Sequence, residues 1–400
     1  MKMKNTIAII LTVLLIFSLV GCTSAQDDTG VVSSENAVGE DNSDSSSSNI
    51  ISSDEGSLLD ITELFTTRDL EQSADLTDAV FIELESNKDV TIDNEGIYVL
   101  SGEVEDMSVV VEADDEAKVQ IVLDSVNITN EDSPVIYVKS ADKVFVTSTD
   151  SDNYMEVSGS YKADGDTNVD AVIFSKEDLV LNGIGTVEIV SDEGNGITSK
   201  DDLKITGGVY TIDSLEDGIE ANDSIRIFDG DITIVTDKDA LHSENDEDAS
   251  LGYIYIQNGT LNITAADDAI RGNSIVQIDG GIINIETCSE GIEGTYLQIN
   301  GGEINIYATD DGINATSKST YDVVIEVNGG TINVRMGSGD TDGFDANGDI
   351  YINGGTITVE ANSAFDSDGK AELNGGEVTI NGEIITEITQ MQMGGGRRGR

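Results

Sequence analysis

The chain has 400 residues, 78 of them acidic against 20 basic, for a formal net charge of −58. That balance excludes nucleic acid as a partner, since phosphate contacts need a basic surface, and makes hard cations with oxygen ligands the natural counter-charge. No Trp, one Pro and an apolar fraction of 38% rich in Ile, Val and Leu favour strands over helices.

In chain order, Met1 to Val20 reads as an export signal, with Lys2 and Lys4 at its start and the apolar run Ile7 to Val20 behind them. The run falls short of the roughly 20 apolar residues a membrane span needs. It ends in Leu19-Val20-Gly21-Cys22, which resembles the bacterial lipobox. By that resemblance residues 1–21 are removed, and a diacylglyceryl group on Cys22 anchors the protein to the outer face of the cytoplasmic membrane. Residues 22–57, rich in Ser, Asp, Glu, Gly and Asn, have little to bury and form a tether, able to reach roughly 100 Å when extended. Residues 58–89 are expected to cap the domain, with Leu58, Leu59, Ile61, Leu64 and Phe65 spaced for one or two turns of amphipathic helix.

From residue 90 to about 385 the pattern is one of short strands, beginning with Val90 to Ile92, Ile97 to Leu100, Val109 to Val111 and Val119 to Leu123. Residues 150–166 interrupt it as a polar segment, expected to protrude as a loop. Beyond it an acidic-Gly/Ala-Ile phrase recurs, as in Glu216-Asp217-Gly218-Ile219-Glu220 and Asp310-Asp311-Gly312-Ile313-Asn314. Its Gly or Ala stands at 196, 218, 240, 269, 291, 312, 343 and 364, a period of 21–22 residues stretched by insertions near 243–252, 316–322 and 337–340. A second phrase keeps pace, with glycines at 208, 230, 259, 281, 302, 330, 355 and 376.

Three short strands per 21–22 residues make an all-β, single-stranded parallel β-helix in which equivalent residues stack in ladders about 4.8 Å apart. Ile219, Leu241, Ile270, Ile292, Ile313, Phe344 and Phe365 form one inward ladder. A second runs through Ile225/Ile227, then Ile275/Gln277 or Val276/Ile278, then Leu297/Ile299. A leucine-rich horseshoe is set aside for want of Leu-rich spacing and Asn ladders.

The residue before the corner is Asp217, Asp239, Asp268, Glu290, Asp311 and Asp342 in successive coils. Six unpaired inward carboxylates would be ruinous, so the glycine is read as a bend that turns them outward, where they repel one another unless cations lie between them. Asp267, Asp310 and Asp345 join them as candidate metal ligands. Glu220, Glu293 and Asp366 occupy the exposed position two past the corner, and Asn222, Asn273, Thr295, Asn314 and Asn347 supply neutral oxygens. Oxygen-only donors at this density suit calcium, although Asp-Gly pairs also make ordinary turns.

With Cys22 lipidated, Cys288 has no disulfide partner and is expected to fill core space. His242, the single histidine, takes the repeat position of Glu220 and Glu293 and reads as a surface residue.

Ile97-Tyr98-Val99-Leu100-Ser101-Gly102, Ala171-Val172-Ile173-Phe174-Ser175-Lys176-Glu177-Asp178-Leu179 and Gly196-Ile197-Thr198-Ser199-Lys200-Asp201-Asp202-Leu203 resemble the carbohydrate-binding domain-containing lipoproteins of clostridia and related bacteria. The resemblance covers about Ala79 to Asn381. It implies a right-handed parallel β-helix, distantly similar to calcium-dependent pectate lyases, that binds calcium and plant-type polysaccharide without established cleavage.

The expected function is therefore calcium-dependent binding of an acidic or plant cell-wall polysaccharide such as polygalacturonate or cellulose. Tyr253, Tyr255, Tyr296 and Tyr351 are candidate stacking platforms. A lyase needs a base beside calcium. Lys238, between Asp237 and Asp239, is the first candidate, though its neighbours push its pKa the wrong way; Lys200 and Lys318 follow. A calcium-stiffened adhesin is the third reading. The tail 386–400, with Arg397, Arg398 and Arg400, is a flexible basic end.

Overall fold

The computed structural model describes residues 58–339 and 341–389. The export signal, Cys22, the tether and residues 390–400 of the tail lie outside them. Among the described residues there is no α-helix, only one 3-10 turn at Leu76–Asp78.

One coil shows the plan: Ile219–Ala221, Ser224–Ile227 and Asp231–Thr236, followed by their equivalents Leu241–Ser243, Tyr253–Ile256 and Thr260–Ala265. Equivalents pair in parallel and in register, Ile219 with Leu241, Ile225 with Ile254 and Ile232 with Leu261. The chain winds in this way for about twelve turns, building a first, second and third sheet around one core.

The first sheet carries the expected inward ladder from Ile219 to Phe365. It extends back through Ile197, Ile173 and Ile136. Every rung is buried, each contributing roughly 1.5–3 kcal/mol of transfer free energy. Of the two registers left open in the second sheet, Val276/Ile278 is the one adopted, facing Ile254/Ile256. The second glycine phrase makes the turn into the third sheet. Gly302 there has φ of 93°, which a side chain rarely adopts.

Three expectations are corrected. Asp152–Val157 is a strand of the third sheet, its Met155 fully buried between Ile128 and Ile189; the excursion into the following coil spans residues 158–170. Asn ladders are present. In one, the Nδ2 atoms of Asn328, Asn353 and Asn374 each donate to the preceding Oδ1, starting at Asn300, at 2.9 Å. In another, Asn284, Asn305 and Asn333 do the same from Asn262.

The third correction concerns residues 58–78, which form no helical end cap. They run as a strap along the outer face of the second sheet. Leu58 and Leu59 donate their N–H groups to Gln298 and Gln277, Leu64 O accepts from Arg226, Asp69 meets Lys204, and Gln72 bridges Thr206 and Gly183. Under the strap, in the outward column Lys204, Arg226, Tyr255, Gln277 and Gln298, every member but the half-buried Arg226 is buried. At the far end Glu377–Ile380 and Glu383–Ile385 form an antiparallel hairpin across Asn381-Gly382, both with positive φ, a turn that suits strand twist.

Candidate functional site: the acidic columns

The corner glycine is set by closeness rather than by handedness. A Cβ at Gly218 would lie 2.5 Å from Ile234 Cγ2 and 2.7 Å from the Ala240 carbonyl oxygen. The corner amides point along the axis: Gly218 N–H donates to Asp239 O, Ala240 to Asp268 O, Ala269 to Glu290 O and Gly291 to Asp311 O, each at 2.9 Å. These bonds stack Asp217, Asp239, Asp268, Glu290 and Asp311 in one column, which Asp342 continues as the register partner of Asp311.

The carboxylates leave the core as expected but do not all reach open solvent: Asp239 is 3% and Asp268 6% exposed. One oxygen closes the backbone of the next coil. Asp217 Oδ1 accepts from Asp239 N–H at 3.1 Å, Asp239 Oδ1 from Asp268 N–H at 2.9 Å, and Asp311 Oδ1 from Asp342 N–H at 3.1 Å.

Beside it stands a second column, Glu220, His242, Arg271, Glu293, Asn314, Asp345 and Asp366. Its cations neutralise one stretch of acid. His242 Nδ1 lies 2.8 Å from Asp217 Oδ2, and Arg271 Nη1 lies 3.3 Å from Asp239 Oδ2. Arg271 also reaches Glu293, which Lys318 contacts as well, and Lys200 lies 3.0 Å from Glu220. Burial works against the imidazolium of His242, but Asp217 and Asp239 outweigh it and raise its pKa. His242 is thus part of the column, not an isolated surface residue.

Among the described residues, Asp268, Glu290, Asp311 and Asp345 form no ion pair. Burial, reinforced by Asp239, Glu290 and Glu293, pushes Asp268 up to about 9. Burial raises Asp311 to about 7 against the opposing Asp342 N–H bond, and raises Asp345 to about 6 with the help of Asp342.

Donor oxygens of Asp268, Glu290 and Glu293 converge within 4.8 Å of one another, as do those of Asp239, Asp267 and Asp268. These all-oxygen sets fit a hard cation of the calcium type. The third convergence, Asp217, Asp239 and His242, includes a nitrogen already engaged by carboxylate. Asp342 and Asp345 stand beside Asp311 in a further acidic group, whereas Asp310 is exposed and outside these convergences. Glu293, expected at an exposed position and not among the expected ligands, is instead buried and joins the converging donors. Asp170 was also missed; burial and Glu220 raise it to about 6, and it lies at the end of the excursion, just before the strand Ala171–Ser175, where the repeat phase has been lost.

Lys238 is exposed and 3.3 Å from Glu216 Oε2, a contact that raises its pKa. Tyr253 and Tyr255 are buried by the strap; Tyr296 and Tyr351 spend their hydroxyls on Glu326 and Asp349. Tyr253 and Tyr255 therefore offer no open stacking face, whereas Tyr296 and Tyr351 are half-buried. Cys288 sits in the core, as expected, with burial pushing its thiol up to about 12.

A family profile described as carbohydrate-binding domain-containing protein matches residues 86–343 and 293–383. A carbohydrate-binding domain-containing protein of Acetivibrio thermocellus is 42% identical over 211 residues, 52% of this chain and 74% of that protein. The solved structure of the polysaccharide lyase-like protein from C. thermocellum, a gadolinium derivative, superposes with a TM-score of 0.49 at 31% identity, over 56% of this chain and 92% of that one. On the extent of the profile match and the coverage of the A. thermocellus relative, the chain belongs to the carbohydrate-binding domain-containing protein family.

Proposed function

We propose that the protein is a calcium-dependent, non-cleaving polysaccharide-binding protein whose polymer is acidic or of plant cell-wall type, polygalacturonate and cellulose being representative. The observation that carries this reading is the convergence of Asp268 and Glu290, neither of them in an ion pair, with Glu293 of the adjoining column, which Arg271 and Lys318 also contact. Calcium held there supplies the positive charge that a chain of −58 otherwise lacks toward a polyanion. Glu293 and Asp268 anchor the ion from two neighbouring coils, and Asn314, which donates to Glu290 Oε2 at 2.9 Å, fixes that carboxylate. Export and lipidation at Cys22, as read from the sequence, would put this surface outside the cell.

A cleaving role requires a base that is neutral near neutral pH, and the raised pKa of Lys238 opposes it in that part. The test is calorimetry with polygalacturonate and cellulose, with and without calcium, on wild type and on the double variant Asp268→Ala, Asp311→Ala. Polygalacturonate binding should require calcium and be lost in the variant. Equal binding in a chelator would overturn the calcium bridge, and ultraviolet-absorbing unsaturated product would establish a lyase. Calcium stabilisation with no glycan bound would point to the adhesin.

A further inference from the structure

The outer face of the third sheet differs from the acidic columns in chemistry. Over four coils it forms a groove of about 360 Å³, its floor built by Asn284, Asn305, Asn333 and Thr358, with Tyr307 and Arg335 alongside. The three asparagines and Thr358 are register partners, so they repeat at the coil pitch of about 4.8 Å. Asn305 Nδ2 donates to Asn284 Oδ1 at 3.0 Å, and Asn333 Nδ2 to Asn305 Oδ1 at 2.9 Å. An amide carries two N–H donors and two lone pairs. Asn284 and Asn305, each bonded to both neighbours, therefore keep one donor and one acceptor for a ligand.

Apolar surface accompanies this polar column. Arg335 lies over the Tyr307 ring at 4.7 Å from its centroid, which fixes the ring, and Ile282, two residues before Asn284 on the same strand, is 43% exposed. The charged lining is Glu286, Glu360 and Arg335, close to neutral on a chain of −58. Among the described residues, the converging carboxylate sets all lie in the first sheet's columns and the corner beside them, none of them here.

A ligand that fits is straight, uncharged, rich in hydroxyls that both donate and accept, and apolar on its ring faces. A polyanion meets Glu286 and Glu360 with no cation bridge. An extended peptide gains little, because the backbone of these strands is consumed by the neighbouring coils. We propose that this groove is a second polysaccharide site, taking a neutral β-linked glucan chain along the solenoid axis without calcium. It goes beyond the acidic-column site and rests on the carbohydrate-binding reading of the family.

The test is depletion by insoluble cellulose in a chelator, paired with calorimetry on polygalacturonate plus calcium. Wild type, Tyr307→Ala, Asn305→Asp and the Asp268→Ala, Asp311→Ala variant are compared. Wild type should bind cellulose in the chelator. Tyr307→Ala and Asn305→Asp should each weaken that binding by about tenfold, the scale of one lost ring contact or amide pair, while keeping polygalacturonate binding. The acidic-column variant should do the reverse. Unchanged cellulose binding in both groove variants overturns the proposal. So does a wild type that binds polygalacturonate alone, which leaves the calcium reading standing; a wild type that binds neither polymer sinks both. Should a groove variant melt early, hydrogen exchange on wild type with soluble β-glucan decides: protection across residues 284–335 supports the site, and its absence overturns it.

Discussion

Gly312 and Ala269 occupy one place in the repeat but different surroundings. A Cβ at Gly312 would lie 2.5 Å from the Gly343 carbonyl oxygen and 2.5 Å from Val334 Cγ1, whereas Ala269 is fully buried with its methyl accommodated. Gly312→Ala should destabilise by about 1–3 kcal/mol through overpacking, and Ala269→Gly by no more than about 1 kcal/mol; urea unfolding reads both, and equal costs would refute the crowding argument. Asp268 permits a sharper expectation. Its pKa is raised to about 9, so at pH 8 folding must bind a proton that the unfolded chain has released, at a cost in stability. Asp268→Asn should therefore raise the melting temperature of metal-free protein at pH 8 and shrink the rise that calcium produces. A lower metal-free melting temperature would count against the charge burden.

The strap is the element that sequence patterning misread. Its apolar spacing fits a helix, but short side chains capture the backbone first. Asp60 Oδ1 accepts from Thr62 N–H at 3.1 Å, and Asp69 Oδ2 from Thr66 N–H at 2.9 Å. Such local bonds compete with helix, and an isolated helix of one or two turns is marginal in any case. Asp69 is fully buried, 3.1 Å from Lys204 and 3.8 Å from Lys143. Burial pushes its carboxyl up, yet Lys204, the Thr66 N–H and Lys143 together bring it below the ordinary value. That stabilisation is present above the unfolded pKa and fades below about pH 4. Asp69→Ala leaves the buried Lys204 without its ion-pair partner, while Lys143 keeps Asp178 at 3.1 Å, and should cost about 3–5 kcal/mol, with hydrogen exchange rising first in residues 58–78. Uniform exchange along the solenoid would show that the strap is not the weak point.

Across the whole molecule the raised acids act in one direction. Asp268, Asp311, Asp345 and Asp170 hold protons in the folded state at pH values where the unfolded chain has released them. Stability then falls as pH rises from about 4 toward 9. His242, also raised, adds in the same sense, its contribution being full below the unfolded value and lost above the folded one. In a chelator the melting temperature should fall between pH 5 and 8, and calcium should flatten the profile by replacing protons on the column. A flat profile in the chelator would remove the basis for a charge-strained column. Because each coil touches chiefly its neighbours, the loss should begin in the coils around Asp268 and Asp311 and spread along the axis.

What the sequence determined by itself was the coil period and its main ladders, though the equally periodic Asn ladders went unread. A spacing of 21–22 residues makes equivalent positions neighbours, so the Ile219 to Phe365 ladder and the stacking of Asp217 through Asp342 follow from repetition alone. The tertiary structure decided what repetition does not encode. Arg271 and Lys318 meet particular acids because side chains of neighbouring coils reach across the columns. Tyr255 is hidden because a non-repeating strap crosses it, and Tyr307 borders an Asn-lined groove because, among the described residues, no strap crosses its sheet there. These depend on contacts between inequivalent segments far apart in the chain, where the period carries no information.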